Sequence, residues 1–451
     1  SGSIGASAGP YTTWSDGEGK DGVSATKRTT ILGYRRHAVT IDGGGKLYPL
    51  FLFKAQHVEV GNIVALHAKL EGENSQDAVH LEQTLDIYLH QIGAAYPDPT
   101  CDNCMGIGVE VSSDVTIEEC WTWGFGARYG ILLHGGLRNV ARRNVTRYDG
   151  AVDGNPKAAL ALYSEDQSIA ENNVTVDYDA GSDTKDDVHA PFFTTSSVTL
   201  TPPTFPPGLP AGLKTVSWYG NVAINTILSP EAVFFFDSLA SVGGTITAID
   251  NIAGNGGAPF AANDDGFGMW VSHDEGTPHS SITLNHNTIY GVKVKNGVQV
   301  DAPPAWSAIT FDDNLIGDLT GTNSTCFKDE SGNGKRITAT GNEVFQCAST
   351  VPNDATLSVT DPKLSFLTSV ASGAPGATVV KRYVGGVLSN TNLWPFPNED
   401  SIKSDLCMGP DGTSLNGTPI STRTHNASGW CTSGKTLTQY VWGQLGHASP
   451  Y

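Results

Sequence analysis

The stretch ITLNHNTIYG, residues 282–291, sets an asparagine, Asn287, between two β-branched runs. The arrangement returns in VARRNVTRYD, IAENNVTVDY, ITAIDNIAGN and ITFDDNLIGD. Aligning the units on the asparagine brings Cys120, Asn144, Asn173, Asn221, Asn251, Asn287, Asn314 and Asn342 to one equivalent position, at successive separations of 24, 29, 48, 30, 36, 27 and 28 residues. The longest separation spans the proline-rich LTPPTFPPGLPAGL. Self-similarity at this period indicates a solenoid or a propeller. The unit is too short for a four-stranded blade and lacks the helix of a leucine-rich repeat. It fits three short strands per turn of a parallel β-helix, with variable loops at the corners.

The bulk composition agrees. Of 451 residues only 16% are charged and 52 are glycine, which favours an all-β chain rich in turns. A formal charge of −19 argues against nucleic acid and anionic membrane as partners, because like charge repels at long range. A polyanionic substrate would need local basic residues or bridging cations. The most apolar stretch, AVFFFD, is strand-sized, so no membrane insertion is expected. A secreted form would have lost its signal ahead of SGSIGASAGP. Among seven cysteines, Cys326 with Cys347 and Cys407 with Cys431 are spaced for disulfides, which suits an extracellular location. CDNC at 101–104 has the form of half a zinc site, but no second half follows. Cys120 is the thiol left over.

Over residues 28–350 these units, with the opening TTILGYRRHAVTIDGGG, resemble the right-handed parallel β-helix proteins of pectate-lyase-like type. The resemblance implies an all-β, right-handed parallel β-helix and an association with carbohydrate. It also implies a stacked asparagine at the tight corner between the second and third strands of each coil. Asparagine tolerates left-handed backbone angles, and its amide can bond the asparagine of the next coil. Cys120, in the same corner, is expected to be buried and reduced. Residues 1–27 read as an N-terminal extension or cap, 183–212 as a loop insertion, and 351–451 as a capping region in which PNEDSIKSDLC and LTQYVWGQLG form short helices. The NTD, GHG and RIK signatures of polygalacturonases and the WIDH of pectate lyases have no counterpart here, so no catalytic residue carries over.

The first strands of four coils read DAVHLEQ, GIGVEVSS, YGILLHGG and ALALYSE, and shifts of 28, 24 and 29 superimpose them together with Cys120, Asn144 and Asn173. In that register Val79, Leu81, Val109, Leu133 and Leu162 point inward, and Glu82, Glu110, His134 and Tyr163 form one outward column. Two carboxyls, an imidazole and a phenol spaced ~4.8 Å apart are groups suited to proton transfer at sugars. Stacked glutamates raise one pKa, which makes a general acid, and carboxyls about 5 Å apart match the retaining geometry of glycosidases. A purely structural reading is that water-facing strand positions are ordinarily polar.

His80, Arg128, Tyr129, Lys157, Asp237, Trp270 and His273 are the expected substrate-binding residues. A shift of 36 aligns VFFFDS with MWVSHD, pairing Asp237 with His273 and Phe234 with Trp270. Trp121, Trp123, Tyr129, Tyr163 and Trp270 would suit stacking on sugar rings. Asp264 and Asp265, in NDDGFG, would take calcium if any cation binds; no cofactor is otherwise required. The leading expectation is a secreted polysaccharide lyase or glycoside hydrolase. The other is a non-catalytic adhesin or fibre subunit that self-associates.

Overall fold

In a computed structural model, the described residues are 13–14, 21–34, 39–45, 47–68, 77–95, 104–123, 128–146, 158–171, 173–176, 193–196, 215–224, 232–237, 244–249, 251–256, 266–272, 280–292, 294–301, 306–317, 319, 323–330, 336–348 and 351–359, with short strands at 383–384 and 387–388. The chain winds into three parallel sheets of 11 strands, and each turn contributes one strand to each sheet. Met105–Glu110, Thr116–Glu118 and Trp121–Trp123 make one such coil. Tyr129–His134, Val140–Arg142 and Val145–Thr146 make the next. This is a parallel β-helix. The strands are short because each must turn a corner after a few residues, and aliphatic side chains at alternate positions fill the interior.

One continuous core runs along the solenoid, from Leu50 and Leu52 through Ile107, Val109, Leu133 and Leu162 to Phe311 and Val344. Midway it becomes aromatic: Phe193 stacks on Phe234 at 5.1 Å, and Phe234 on Phe236 at 6.2 Å. Each such side chain, wholly removed from water, contributes about 1.5–3 kcal/mol. Among the described residues no helix is long and apolar enough to cross a membrane.

The asparagine column forms as expected between the second and third sheets. Asn144, Asn173, Asn221, Asn251, Asn287 and Asn314 each donate from Nδ2 to Oδ1 of the next asparagine in the series, at 2.9 to 3.1 Å. The same Nδ2 groups also donate to backbone carbonyls, as Asn251 does to Trp218 at 3.0 Å. The ladder ends at Asp354, whose carboxylate accepts from Asn342 Nδ2 at 2.7 Å. At its other end stands Cys120, a free and buried cysteine whose thiol burial pushes up to about 12.

Two details differ from expectation. The left-handed residue is the one before the asparagine: Arg143, Gly220, His286, Asp313 and Gly341 have φ between 54° and 72°, as does Glu119 before Cys120. The asparagine holds the corner through hydrogen bonds instead. Furthermore, Phe193–Ser196 lies inside the stretch read as a loop at 183–212, yet it pairs with Ala158–Tyr163 as a strand of the first sheet. Its two threonines and its isolation from any asparagine unit hid it. Thr13 and Trp14 likewise join that sheet beside Phe51 and Leu52.

Cys326 and Cys347 form the expected disulfide. Cys104 is also disulfide-bonded. Cys407, Cys431 and the two expected cap helices lie outside the described residues.

Candidate active site

The outer face of the first sheet carries the predicted column. Glu82 pairs with Glu110, Glu110 with His134, and His134 with Tyr163, in the register expected from the shifts of 28, 24 and 29. Val79, Leu81, Val109, Leu133 and Leu162 sit in the core beneath it.

In the coil at 77–82 the alternation is interrupted, and this interruption builds the site. Ala78 and Val79, although adjacent, both face the core. Asp77 and His80, three residues apart, therefore emerge together on the outer face. The equivalent positions in the next coils carry mainly apolar side chains: Met105, Tyr129, Leu132, Ala158 and Ala161 form a separate apolar cluster against Tyr163. Among the described residues, only the coil at 77–82 fills these positions with an acid and an imidazole.

Asp77 is wholly buried and His80 is 5% exposed. His80 Nδ1 donates to Asp77 Oδ2 at 2.6 Å, and Met105 N–H donates to Asp77 Oδ1 at 2.8 Å. Gly108, on the neighbouring strand, leaves the room: a Cβ there would lie 2.3 Å from Asp77 Oδ2. His80 Nε2 lies 4.0 Å from Glu82 Oε2. Burial opposes the charged ring, but the hydrogen bond and charge of Asp77, with the charges of Glu110 and Glu82, outweigh it and raise the imidazole pKa. Burial raises Asp77 against the pull of His80 and Met105 N–H. Burial also raises Glu110, with Asp77 and Glu82 adding to the rise and His80 opposing it. Glu82 is more open, its side chain 34% exposed. The face thus holds a carboxyl inclined to keep its proton beside one in contact with solvent. Tyr48 and Phe51 wall the near side of His80, at ring separations of 5.8 and 5.1 Å.

On the far side, His134 and Tyr163 meet edge to face at 6.3 Å, and Tyr163 meets Tyr129 at 5.5 Å. Burial and Tyr129 push the Tyr163 phenol well above its ordinary value. The Arg128 guanidinium lies over the Tyr129 ring, 5.8 Å from its centre. Arg128, Tyr129, His134 and Tyr163 therefore form a second group beside the glutamates.

The remaining expected residues fall elsewhere. The shift between VFFFDS and MWVSHD is one residue shorter than expected: Phe234 pairs with Met269, and Phe235 with Trp270. Corner loops of uneven length made that register unreadable from the repeat. Asp237 extends the outward row beyond Ser196, whose Oγ donates to it at 3.2 Å, and is four strands from Glu110, roughly 19 Å away at the usual spacing. Trp270 packs against Phe235 and Phe267 and donates to Asp301 at 2.7 Å. Trp121 is fully buried and cannot stack on a ligand. Lys157, His273, Asp264 and Asp265 lie outside the described residues, among which no group of three or more His, Cys, Asp and Glu could hold a metal ion. Asp77 was missed because an i, i+3 pair on one face of a strand requires a break in alternation that periodicity cannot show.

No family model matches the chain, and neither does any curated protein. Solved structures offer distant likenesses. The catalytic domain of a GH87 alpha-1,3-glucanase in complex with nigerose superposes with a TM-score of 0.43 at 12% identity, over 69% of this chain and 62% of that one. The Streptococcus pneumoniae surface protein and adhesin PfbA gives 0.43 at 10% identity, over 73% and 87%. The tailspike of Pseudomonas phage phi297 gives 0.40 at 11% identity, over 68% and 52%. The chain thus spans less than two thirds of the glucanase domain and about half of the tailspike. At these scores the architecture rests on the chain's own strand order, and by that order the chain is a parallel β-helix protein.

Proposed function

We propose that the chain is an extracellular glycoside hydrolase acting on a neutral polysaccharide, with Glu110 as acid and base and Glu82 as nucleophile. The observation that carries this reading is the pairing of Glu82 and Glu110 on adjacent outward strands, with burial raising the Glu110 carboxyl. Adjacent strands lie ~4.8 Å apart, which suits the retaining geometry of about 5–5.5 Å between carboxyls. In the first step a Glu82 oxygen bonds the anomeric carbon as the glycosidic C–O bond breaks, and the Glu110 proton passes to the leaving oxygen. In the second, Glu110 takes a proton from water, the water oxygen bonds the anomeric carbon, and Glu82 leaves as carboxylate.

Hydrolysis is favoured over elimination for two reasons. A lyase needs a base for the sugar C–H, and Tyr163, with its pKa raised well above that of free phenol, is poorly suited to the task. A lyase also needs an acidic sugar, which a chain of net charge −19 repels. The aromatic wall of Tyr48 and Phe51 suits the apolar face of a neutral sugar ring.

The test is a panel of neutral and acidic polysaccharides assayed for new reducing ends and for the absorbance of unsaturated products. The expected result is reducing ends from a neutral glycan, with the anomeric configuration retained. Turnover of that glycan should fall at least 100-fold in Glu110→Gln, in line with a loss of about 10²–10⁴ for a general acid. Unsaturated products would favour a lyase. Binding or polymerisation without cleavage would favour the adhesin or fibre.

A further inference from the structure

Asp77 stands outside the carboxylate pair, yet it determines which way the His80 ring faces. Its two oxygens are committed, one to Met105 N–H and one to His80 Nδ1. With Nδ1 engaged, the other ring nitrogen, Nε2, lies on the side of Glu82. Nothing larger than glycine fits at position 108 without displacing this carboxylate. The titratable groups facing the ring are Asp77 just ahead of its own strand, Glu82 on that strand, Glu110 on the following strand and Tyr48 ahead of the preceding one.

We propose that Asp77 is a positioning residue: it fixes the His80 ring and holds its proton, so that a positively charged Nε2–H faces Glu82 and Glu110 at neutral pH. The functional part of this inference rests on the carboxylate pair being the active site. There a fixed cation stands beside the Glu82 nucleophile, while Glu110 keeps its proton in a more buried position. Without Asp77, burial would discharge the ring. The pair gains and loses protons as a unit, so the test must read the ring and the carboxyl together.

NMR of isotope-labelled histidine, with His80→Gln to assign the signal, reads tautomer and charge without substrate. His80 is expected to remain protonated past the ~6.5 of a free imidazole, with Nδ1–H hydrogen-bonded. In Asp77→Asn the ring should discharge at least about one pH unit lower. Gly108→Ala, which crowds the carboxylate without removing it, should give a smaller shift in the same direction. Discharge of His80 at or below the ordinary value in the unaltered protein, or an unmoved titration in Asp77→Asn, would overturn the proposal. If Asp77→Asn does not fold, the unaltered protein and Gly108→Ala decide.

On a hydrolysed glycan, the basic limb of the kcat/KM profile, set by the Glu110 acid, should move to higher pH in Asp77→Asn as the opposing His80 charge is lost, with KM nearly constant. Asp77→Asn should have no further effect on the profile in a His80→Gln background. An unshifted profile removes the positioning role even if the glycan is cleaved. The predicted NMR titration in a protein that cleaves nothing keeps the charged His80 and removes the carboxylate-pair reading.

Discussion

Two places where the solenoid buries polar side chains are treated in opposite ways. At the asparagine corner every amide meets its complement: Asn251 Oδ1 accepts from the backbone and side chain of Asn221, while its Nδ2 donates to Trp218 O and Asn287 Oδ1. On the outer face of the first sheet, Glu82 and Glu110 adjoin with like charge, and a buried Asp77 and His80 stand beside them. The first arrangement lowers the free energy of the fold. The second raises a carboxyl pKa and is retained despite that cost. On the proposed function, the difference separates a structural column from a functional one, although both repeat at the same period.

Substitutions can break the comparison or sharpen it. Asn251→Ala should be the most damaging to stability, at about 4 kcal/mol, because two or more stranded buried groups cost about 1–3 kcal/mol each; chemical denaturation measures it. A loss below about 1 kcal/mol would mean that the ladder is ornamental.

Arg142→Gln, on the second sheet, should cost about 1 kcal/mol at neutral pH. Burial raises Glu118, but its hydrogen bond and charge interaction with Arg142, together with Tyr88, outweigh burial and hold the carboxyl below its ordinary value. A lowered carboxyl contributes stability above its unfolded pKa and loses it as pH falls through the folded one. The difference between Arg142→Gln and the unaltered protein should therefore shrink on acidification below the ordinary carboxylate range. A difference independent of pH would assign it to lost packing.

Glu110 has the opposite sign. Its folded pKa is raised, so the native state loses stability as pH rises from the unfolded carboxylate value through the folded one. Glu110→Gln should match the unaltered protein in acid and exceed it at neutral pH, by thermal melts across that window. Cys120→Asn should have the smallest effect, a gain within about 1 kcal/mol. It would extend the ladder by one amide, because Asn144 Oδ1 already accepts from the backbone at 120, and the new oxygen would meet the Ile92 N–H that now faces the thiol.

The two columns were not equally legible in the sequence. The corner could be read because one residue type recurs there, and its spacing transferred the register to Glu82, Glu110, His134 and Tyr163 without a slip. Where corner loops vary, the same ruler failed by one residue, at Phe235 and Trp270. Asp77 was invisible for a different reason. Its exposure to the site depends on Ala78 and Val79 both turning inward, a local break in alternation that only the packed neighbouring strands impose. The left-handed residue was misplaced by one because the asparagine, the conspicuous residue, acts through its amide and leaves the unusual φ to its predecessor, as at Arg143 and His286.

The most direct measurement sets Glu110→Gln beside Asn251→Ala, each assayed for polysaccharide cleavage and for unfolding free energy at neutral pH. The account predicts that Glu110→Gln loses at least 100-fold in turnover with stability unchanged or raised, as expected of a general acid. Asn251→Ala should lose stability while the fraction that remains folded keeps its turnover. Undiminished cleavage by Glu110→Gln, or a stability loss in it as large as that of Asn251→Ala, would contradict the account.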